Sequence, residues 1–151
     1  MIRMKHTLSA FVAAFLLVFL VSCGGGDSRH TSSGWFSSLF SDIPANNDVP
    51  IDELVKYILT KTDAQPCCDM EPGPVHAERG FSVILAGKQV AFYKYDAKKK
   101  KMRKKLDYIR KNKCVYIVGN RFPARVNGSF VMVDYEINPQ KDKLIRVFDD
   151  F

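Results

Sequence analysis

The sequence predicts an α+β fold: a single small domain in which a mostly antiparallel sheet carries two helices packed on one face, behind a flexible tether. Three observations predict it. Short runs of β-branched and aromatic residues recur from Phe81 onward, compact turn signals rather than crossover-length segments separate most of them, and from Pro50 onward two segments repeat apolar residues at helical spacing. Strands joined by tight turns pair antiparallel, which argues against a doubly wound parallel sheet.

Pro50–Leu59 reads as a helix. Asp48 is a candidate cap, Asp52 and Glu53 stand in the first turn where the helix dipole favours acids, and Ile51, Leu54, Val55 and Ile58 share one face. Thr62–Gly80 contains Pro66, Pro72, Gly73, Pro74 and Gly80, so it is expected to be an irregular loop carrying Cys67, Cys68 and His76. Phe81–Leu85 and Gln89–Tyr95 flank Ala86-Gly87-Lys88 as a hairpin. Asp96 is positioned to cap a second helix over Ala97–Lys113, where Met102, Leu106 and Ile109 form a narrow apolar face and most other positions are Lys or Arg. Cys114–Val118 is a short strand, Arg121–Val126 and Ser129–Tyr135 flank the turn dipeptide Asn127-Gly128, and Leu144–Phe148 reads as a last strand.

The start of the chain is of a different kind. Arg3 and Lys5 precede an apolar stretch from Leu8 to Val21, too short for a comfortable membrane span, which closes on Leu20-Val21-Ser22-Cys23. These residues resemble the signal of bacterial lipoproteins. The resemblance implies cleavage before Cys23, diacylglycerol on its sulfur and often a third, palmitate-type chain on its amino group. It places the mature protein in the cell envelope, and Gly24 after the cysteine implies the outer membrane, facing the periplasm, if the organism has two membranes. Two or three acyl chains hold a protein on a bilayer almost permanently, at roughly 0.8 kcal/mol per buried methylene. Val90-Ala-Phe-Tyr-Lys-Tyr-Asp96, the Lys-rich segment and Val115-Tyr-Ile-Val-Gly119 also resemble a strand–helix–strand core of small bacterial lipoproteins, a resemblance that brings no catalytic residue with it.

The expected organisation is thus a signal peptide over residues 1–22, a lipidated tether over 23–49 and an α+β domain over 50–151. Gly24-Gly25-Gly26 opens a stretch rich in Ser, Asn, Asp and Pro, as flexible linkers are. Within it Trp35, Phe36, Leu39 and Phe40 are spaced to give one apolar face, suited either to a lipid interface or to docking on the domain.

Charge is unevenly placed. The formal net charge is +7, but residues 23–80 hold nine acids against four bases, while residues 81–151 hold seventeen bases against seven acids. The basic half is where anionic partners are attracted. Its densest part is Lys98, Lys99, Lys100, Lys101, Arg103, Lys104, Lys105 and Arg110, with Lys88, Lys94, Arg121 and Arg125 as additions if the sheet edge lies beside the helix. The bland reading of such a run is a solvated helix face.

Three cysteines remain besides Cys23. A bond between Cys67 and Cys68 needs a strained eight-membered ring, so a disulfide from either to Cys114 is the easier pairing; it closes about 45 residues and contributes around 4 kcal/mol on the chain-entropy model. Cys67, Cys68, Asp69, Glu71, His76 and Cys114 include metal-ligating side chains, but their spacing matches no zinc motif, and neither a metal nor another cofactor is expected. No Cys-x-x-Cys pair, phosphate loop or dinucleotide fingerprint occurs, and His30 and His76 are the only histidines after the signal segment. The carboxylates Asp134, Glu136, Asp149 and Asp150 come with no accompanying catalytic signal.

The function expected is therefore non-enzymatic: a lipid-anchored envelope protein whose basic helix binds an anionic lipid, a cell-wall polymer or another envelope protein. A nucleic-acid partner is not expected, because no recognition motif accompanies the charge. Two alternatives stand beside this reading. One is a periplasmic thiol- or metal-handling protein using Cys67, Cys68, His76 and Cys114, and the other is an accessory lipoprotein of a secretion system or mobile element.

Overall fold

The computed structural model describes residues 43–151. The expected signal peptide, Cys23 and the Trp35–Phe40 cluster lie outside the described residues. In chain order the elements are helix α1 (Ile51–Lys61), strands β1 (Gln65–Met70), β2 (Arg79–Leu85) and β3 (Lys88–Lys94), helix α2 (Lys100–Asn112), strands β4 (Cys114–Ile117), β5 (Asn120–Asn127) and β6 (Phe130–Val133), and helix α3 (Lys141–Asp149). The six strands form one antiparallel sheet in the order β1-β2-β3-β6-β5-β4. Two three-stranded meanders thus meet where β3 pairs with β6.

The α+β class and the antiparallel sheet agree with the sequence, but the helices do not share a face. Side chains alternate across a strand. Val83, Leu85, Val90, Phe92, Phe130 and Met132 point one way, against Ile51, Leu54, Val55 and Ile58 of α1 and Leu144 and Phe148 of α3. Ala91, Tyr93, Ala124, Val131 and Val133 point the other way, against Leu106 and Ile109 of α2. The register pairs Phe92 with Met132 and Ala91 with Val133, so each core takes alternate residues of the same strands. The physical reason lies in β3 and β6 themselves. Val90-Ala-Phe-Tyr and Phe130-Val-Met-Val are apolar on both faces and buried throughout, and a sheet apolar on both sides needs cover on both.

Three local expectations are corrected. The segment read as an irregular loop contains β1, and residues 62–64 and 71–78 remain as connections. β1 is an edge strand, where Pro66 costs no ladder bond, and its side chains are almost all exposed, so it shows no hydrophobic alternation to read. Leu144–Phe148 is part of a helix, with Leu144 and Phe148 buried one turn apart despite the β-branched composition between them. Asn138 sets the start of α3: its Oδ1 accepts from the Gln140 amide at 2.9 Å, and its Nδ2 donates to the Leu85 carbonyl at 2.9 Å. Residues 43–49, expected in the tether, belong to the domain.

That last segment is where the fold is tied together. Lys94, at the end of β3, is buried, and its Nζ donates to the carbonyls of Asn46 (3.0 Å) and Asn47 (2.6 Å) and to Ser129 Oγ (2.6 Å), with the Phe130 ring 4.3 Å away. Asn46 Oδ1 accepts from the Ser129 amide at 2.9 Å, and Asn47 Oδ1 accepts from the Ala97 amide at 2.6 Å. The turn at Ala45–Asp48 therefore joins β3, the β5–β6 turn and the approach to α2. Asn127 extends the same junction by donating to the Phe148 carbonyl at the end of α3, 2.7 Å away.

Gly128 is the tightest point of this junction. Its φ is +57°, and a Cβ there would overlap the Asn46 carboxamide. Gly119, at φ +80°, has open space around it. Replacing each by Ala separates the two effects: Gly119→Ala should cost about 1–2 kcal/mol for the left-handed backbone alone, and Gly128→Ala about 2–4 kcal/mol because it also displaces Asn46 and its hydrogen bonds. Urea unfolding of both variants checks this, and equal losses would contradict the role given to Asn46.

Candidate functional site

The basic residues of α2 divide by environment. Lys98 Nζ lies 2.6 Å from Asp48 Oδ1, and the hydrogen bond to Asp48 raises its pKa. Lys99 reaches Glu78 and Asp96, each at 3.5 Å, Arg110 pairs with Asp107 at 2.7 Å, and Arg103 donates to the Ala97 carbonyl at 3.4 Å. These four expected binding residues are engaged within the domain. Burial works against ionisation of Asp96, yet hydrogen bonds from the Lys98 amide, Asn47 and Lys99 hold its carboxyl below the usual range.

Lys100, Lys101, Lys104 and Lys105 have no carboxylate within 4.0 Å among the described residues. Lys101, Lys104, Lys105 and Tyr108 follow the i, i+3, i+4, i+7 spacing of one helix face, beside the buried face made by Leu106 and Ile109. Tyr108 is exposed, and Lys105 Nζ stands 5.5 Å from its ring.

The fifth member of the face comes from the connection between β1 and β2. Val75 is fully buried in the α2 core, and Tyr95 Oη donates to its carbonyl at 2.9 Å. Held there, the chain turns at His76, whose φ of +58° ends the turn, and places its imidazole beside the lysines. His76, Lys101, Lys104, Lys105 and Tyr108 line an open groove of about 320 Å³, walled by the Tyr108 ring and the aliphatic stems of the lysines with ammonium groups at the rim. The geometry suits an anionic group attached to an apolar body. His76 was legible in the sequence only as a lone histidine; its place beside α2 depends on the burial of Val75.

Two of the four residues expected to extend the basic surface are taken up elsewhere, while Lys88 and Arg121 are exposed. Lys94 is buried in the junction, and Arg125 makes a bidentate pair with Asp149 of α3. The cysteine expectations change too. Cys67 and Cys68 are exposed on β1 while Cys114 is buried on β4, with four strands of the sheet between them. A disulfide needs Cα atoms within about 7 Å, and all three are free thiols. His76 likewise stands with the lysines rather than the thiols, and among the described residues no three His, Cys, Asp or Glu side chains gather as a metal site. No described helix is long and apolar enough to cross a membrane.

A second hollow, of about 330 Å³, lies over the junction and is lined by Asp48, Glu78, Arg79, Lys94, Asp96 and Lys98 among others. Its three acids and three bases balance in number, and each is already engaged, Lys98 with Asp48, Glu78 and Asp96 with Lys99, Arg79 with Asp52 and Asp69, and Lys94 with the junction. No family model, curated protein or solved structure matches the chain, so the functional reading rests on these side chains.

Lys94 supplies a test of the junction. Burial pushes its ammonium down to about 8 from 10.5, against the opposing pull of Glu78, Asp48 and Asp96. A base whose folded pKa lies below its unfolded value binds fewer protons when folded, so its contribution to stability rises as pH climbs from about 8 to 10.5. The stability of the natural chain relative to Lys94→Met should therefore improve by about 2–3 kcal/mol across that window in urea titrations. A difference independent of pH would mean that the ammonium is solvated.

Proposed function

We propose that the protein is a non-enzymatic, lipid-anchored envelope protein whose α2 face binds an anionic membrane component. The observation that carries the reading is the set of unpaired lysines at Lys101, Lys104 and Lys105, gathered with His76 and Tyr108 around one groove. The lipoprotein-like signal at Leu20–Cys23 supports it from the other end of the chain, since a tether at Cys23 keeps the domain beside a bilayer.

The helix itself favours a binding role over a merely solvated surface. Its first turn holds no acid, and Lys100–Lys104 and Lys101–Lys105 set like charges one turn apart. Both arrangements oppose helix formation, by about 0.3–1 kcal/mol near the dipole and a few tenths for each like-charge pair. Burial of Leu106 and Ile109 offsets this cost. Charges kept where they weaken their own helix are accounted for by a partner that neutralises them.

Vesicle flotation tests the proposal with the mature chain carrying Cys23→Ser, so that no acyl chain contributes. Binding to vesicles rich in anionic lipid should exceed binding to zwitterionic ones and fall with salt. The triple variant Lys101→Gln, Lys104→Gln, Lys105→Gln should bind about 100-fold more weakly, at about 1 kcal/mol per lysine, while its unfolding free energy at low salt stays the same or rises by about 0.5–1 kcal/mol. Equal binding by the variant, or a loss of stability that accompanies lost binding, would refute the reading.

A further inference from the structure

The register of β1 on β2 jumps between Pro66 and Cys68, so Cys67 is the extra residue of a β-bulge. A bulge breaks the alternation of a strand and turns two consecutive side chains toward the same side. Here they are two thiols, with Cys67 Sγ and Cys68 Sγ 3.4 Å apart, both exposed.

The neighbours are arranged around the sulfurs. Ser82, fully buried on β2, sets its Oγ 3.3 Å from Cys68 Sγ. Gln89 of β3 donates to Ser82 Oγ at 2.9 Å, and the same amide nitrogen lies 3.6 Å from Met70 Sδ and 3.9 Å from Cys68 Sγ. Two sulfurs thus share the vicinity of one carboxamide, with the Cys67 sulfur beside one of them. Hydrogen bonding with Ser82 and then Cys67 draws the Cys68 thiol below its ordinary pKa, against desolvation and the charge of Asp69, which favours the thiolate that soft acceptors take.

The separation fits one class of acceptor with no movement of either sulfur. A tetrahedral ion with bonds of about 2.3 Å holds two sulfurs roughly 3.8 Å apart, whereas 3.4 Å corresponds to an angle of about 95° at that bond length. A near-right angle suits a pyramidal trivalent centre that keeps a lone pair, and two thiolates alone supply too few ligands for a square-planar or octahedral ion. A direct disulfide would instead have to close the sulfurs to about 2.05 Å within an eight-membered ring, and one bridging atom avoids that closure.

We propose that the β1 bulge is a dithiol site for a trivalent, thiophilic metalloid of the arsenic(III) class. With arsenous acid the reaction balances without redox change. Two arsenic–sulfur bonds replace two arsenic–oxygen bonds, each thiol proton leaves with a hydroxide as water, arsenic stays trivalent, and its third position keeps a hydroxyl. Ser82 and Gln89 act as positioning residues that hold Cys68.

Phenylarsine oxide is the probe, because it takes two thiols, releases one water and leaves a phenyl group on the third position. Added to the full chain under non-denaturing conditions, one equivalent should appear in the intact mass and remove two thiols from titration. Cys67→Ser and Cys68→Ser should each lose the adduct, Cys114→Ser should keep it, and Gln89→Leu should weaken it about 10-fold without unfolding the protein. The proposal is overturned if Cys67→Ser binds as tightly as the natural chain, if zinc(II) displaces the arsenical at equal concentration, or if Cys67 and Cys68 titrate only after reduction.

Discussion

The ammonium of Lys94, gripped by the carbonyls of Asn46 and Asn47 and the hydroxyl of Ser129, is the constraint on which the arrangement of this domain depends. A buried cation is tolerated only when its donors are satisfied, and here three acceptors from two separate parts of the chain meet that need. The two asparagines then use their side chains to reach the β5–β6 turn and the approach to α2. Removing any one partner leaves either a charge or a backbone group unpaired in the interior. The junction thereby sets the angle at which α2 leaves the sheet, and with it the direction in which the lysine face points.

Elements with a periodic apolar face were legible in the sequence, and elements without one were not. α1, α2 and the β2–β3 hairpin announced themselves through residues such as Ile51, Leu54, Leu106, Ile109, Val83 and Val90. β1 did not, because an exposed edge strand has no core to face, and its proline and vicinal cysteines resemble loop composition. In α3 the run Leu144-Ile-Arg-Val-Phe148 favours strand by propensity, and only the burial of Leu144 and Phe148 together, which is tertiary, decides for helix. The Asn46-Asn47 turn was invisible for a related reason: polar residues within a Ser- and Pro-rich stretch read as solvent-facing until Lys94 is placed beneath them.

The candidate site divides in the same way. Lysine density on α2 is plain from composition, but which lysines are free depends on Asp48 and Glu78, carboxylates from distant segments, together with the neighbouring Asp96, which neutralise Lys98 and Lys99. The acidic first half of the chain therefore acts partly as an internal counterweight, and the unpaired charge narrows to the face beside His76. On the opposite side of the sheet, Lys143 pairs with Asp63 at 3.6 Å, and among the described residues the cations Lys56, Lys61, Lys141 and Arg146 are accompanied by the equally unpaired Glu53, Asp142 and Asp150, whereas the single acid of α2, Asp107, is already paired, so the two faces differ in net free positive charge.

That asymmetry is the central claim, and lysine-acetylation footprinting of the protein on anionic bilayers tests it most directly. The account predicts protection of Lys101, Lys104 and Lys105 relative to zwitterionic bilayers, with Lys141 and Lys143 of α3 unchanged. Equal protection on both faces, or protection of α3 instead of α2, would contradict it.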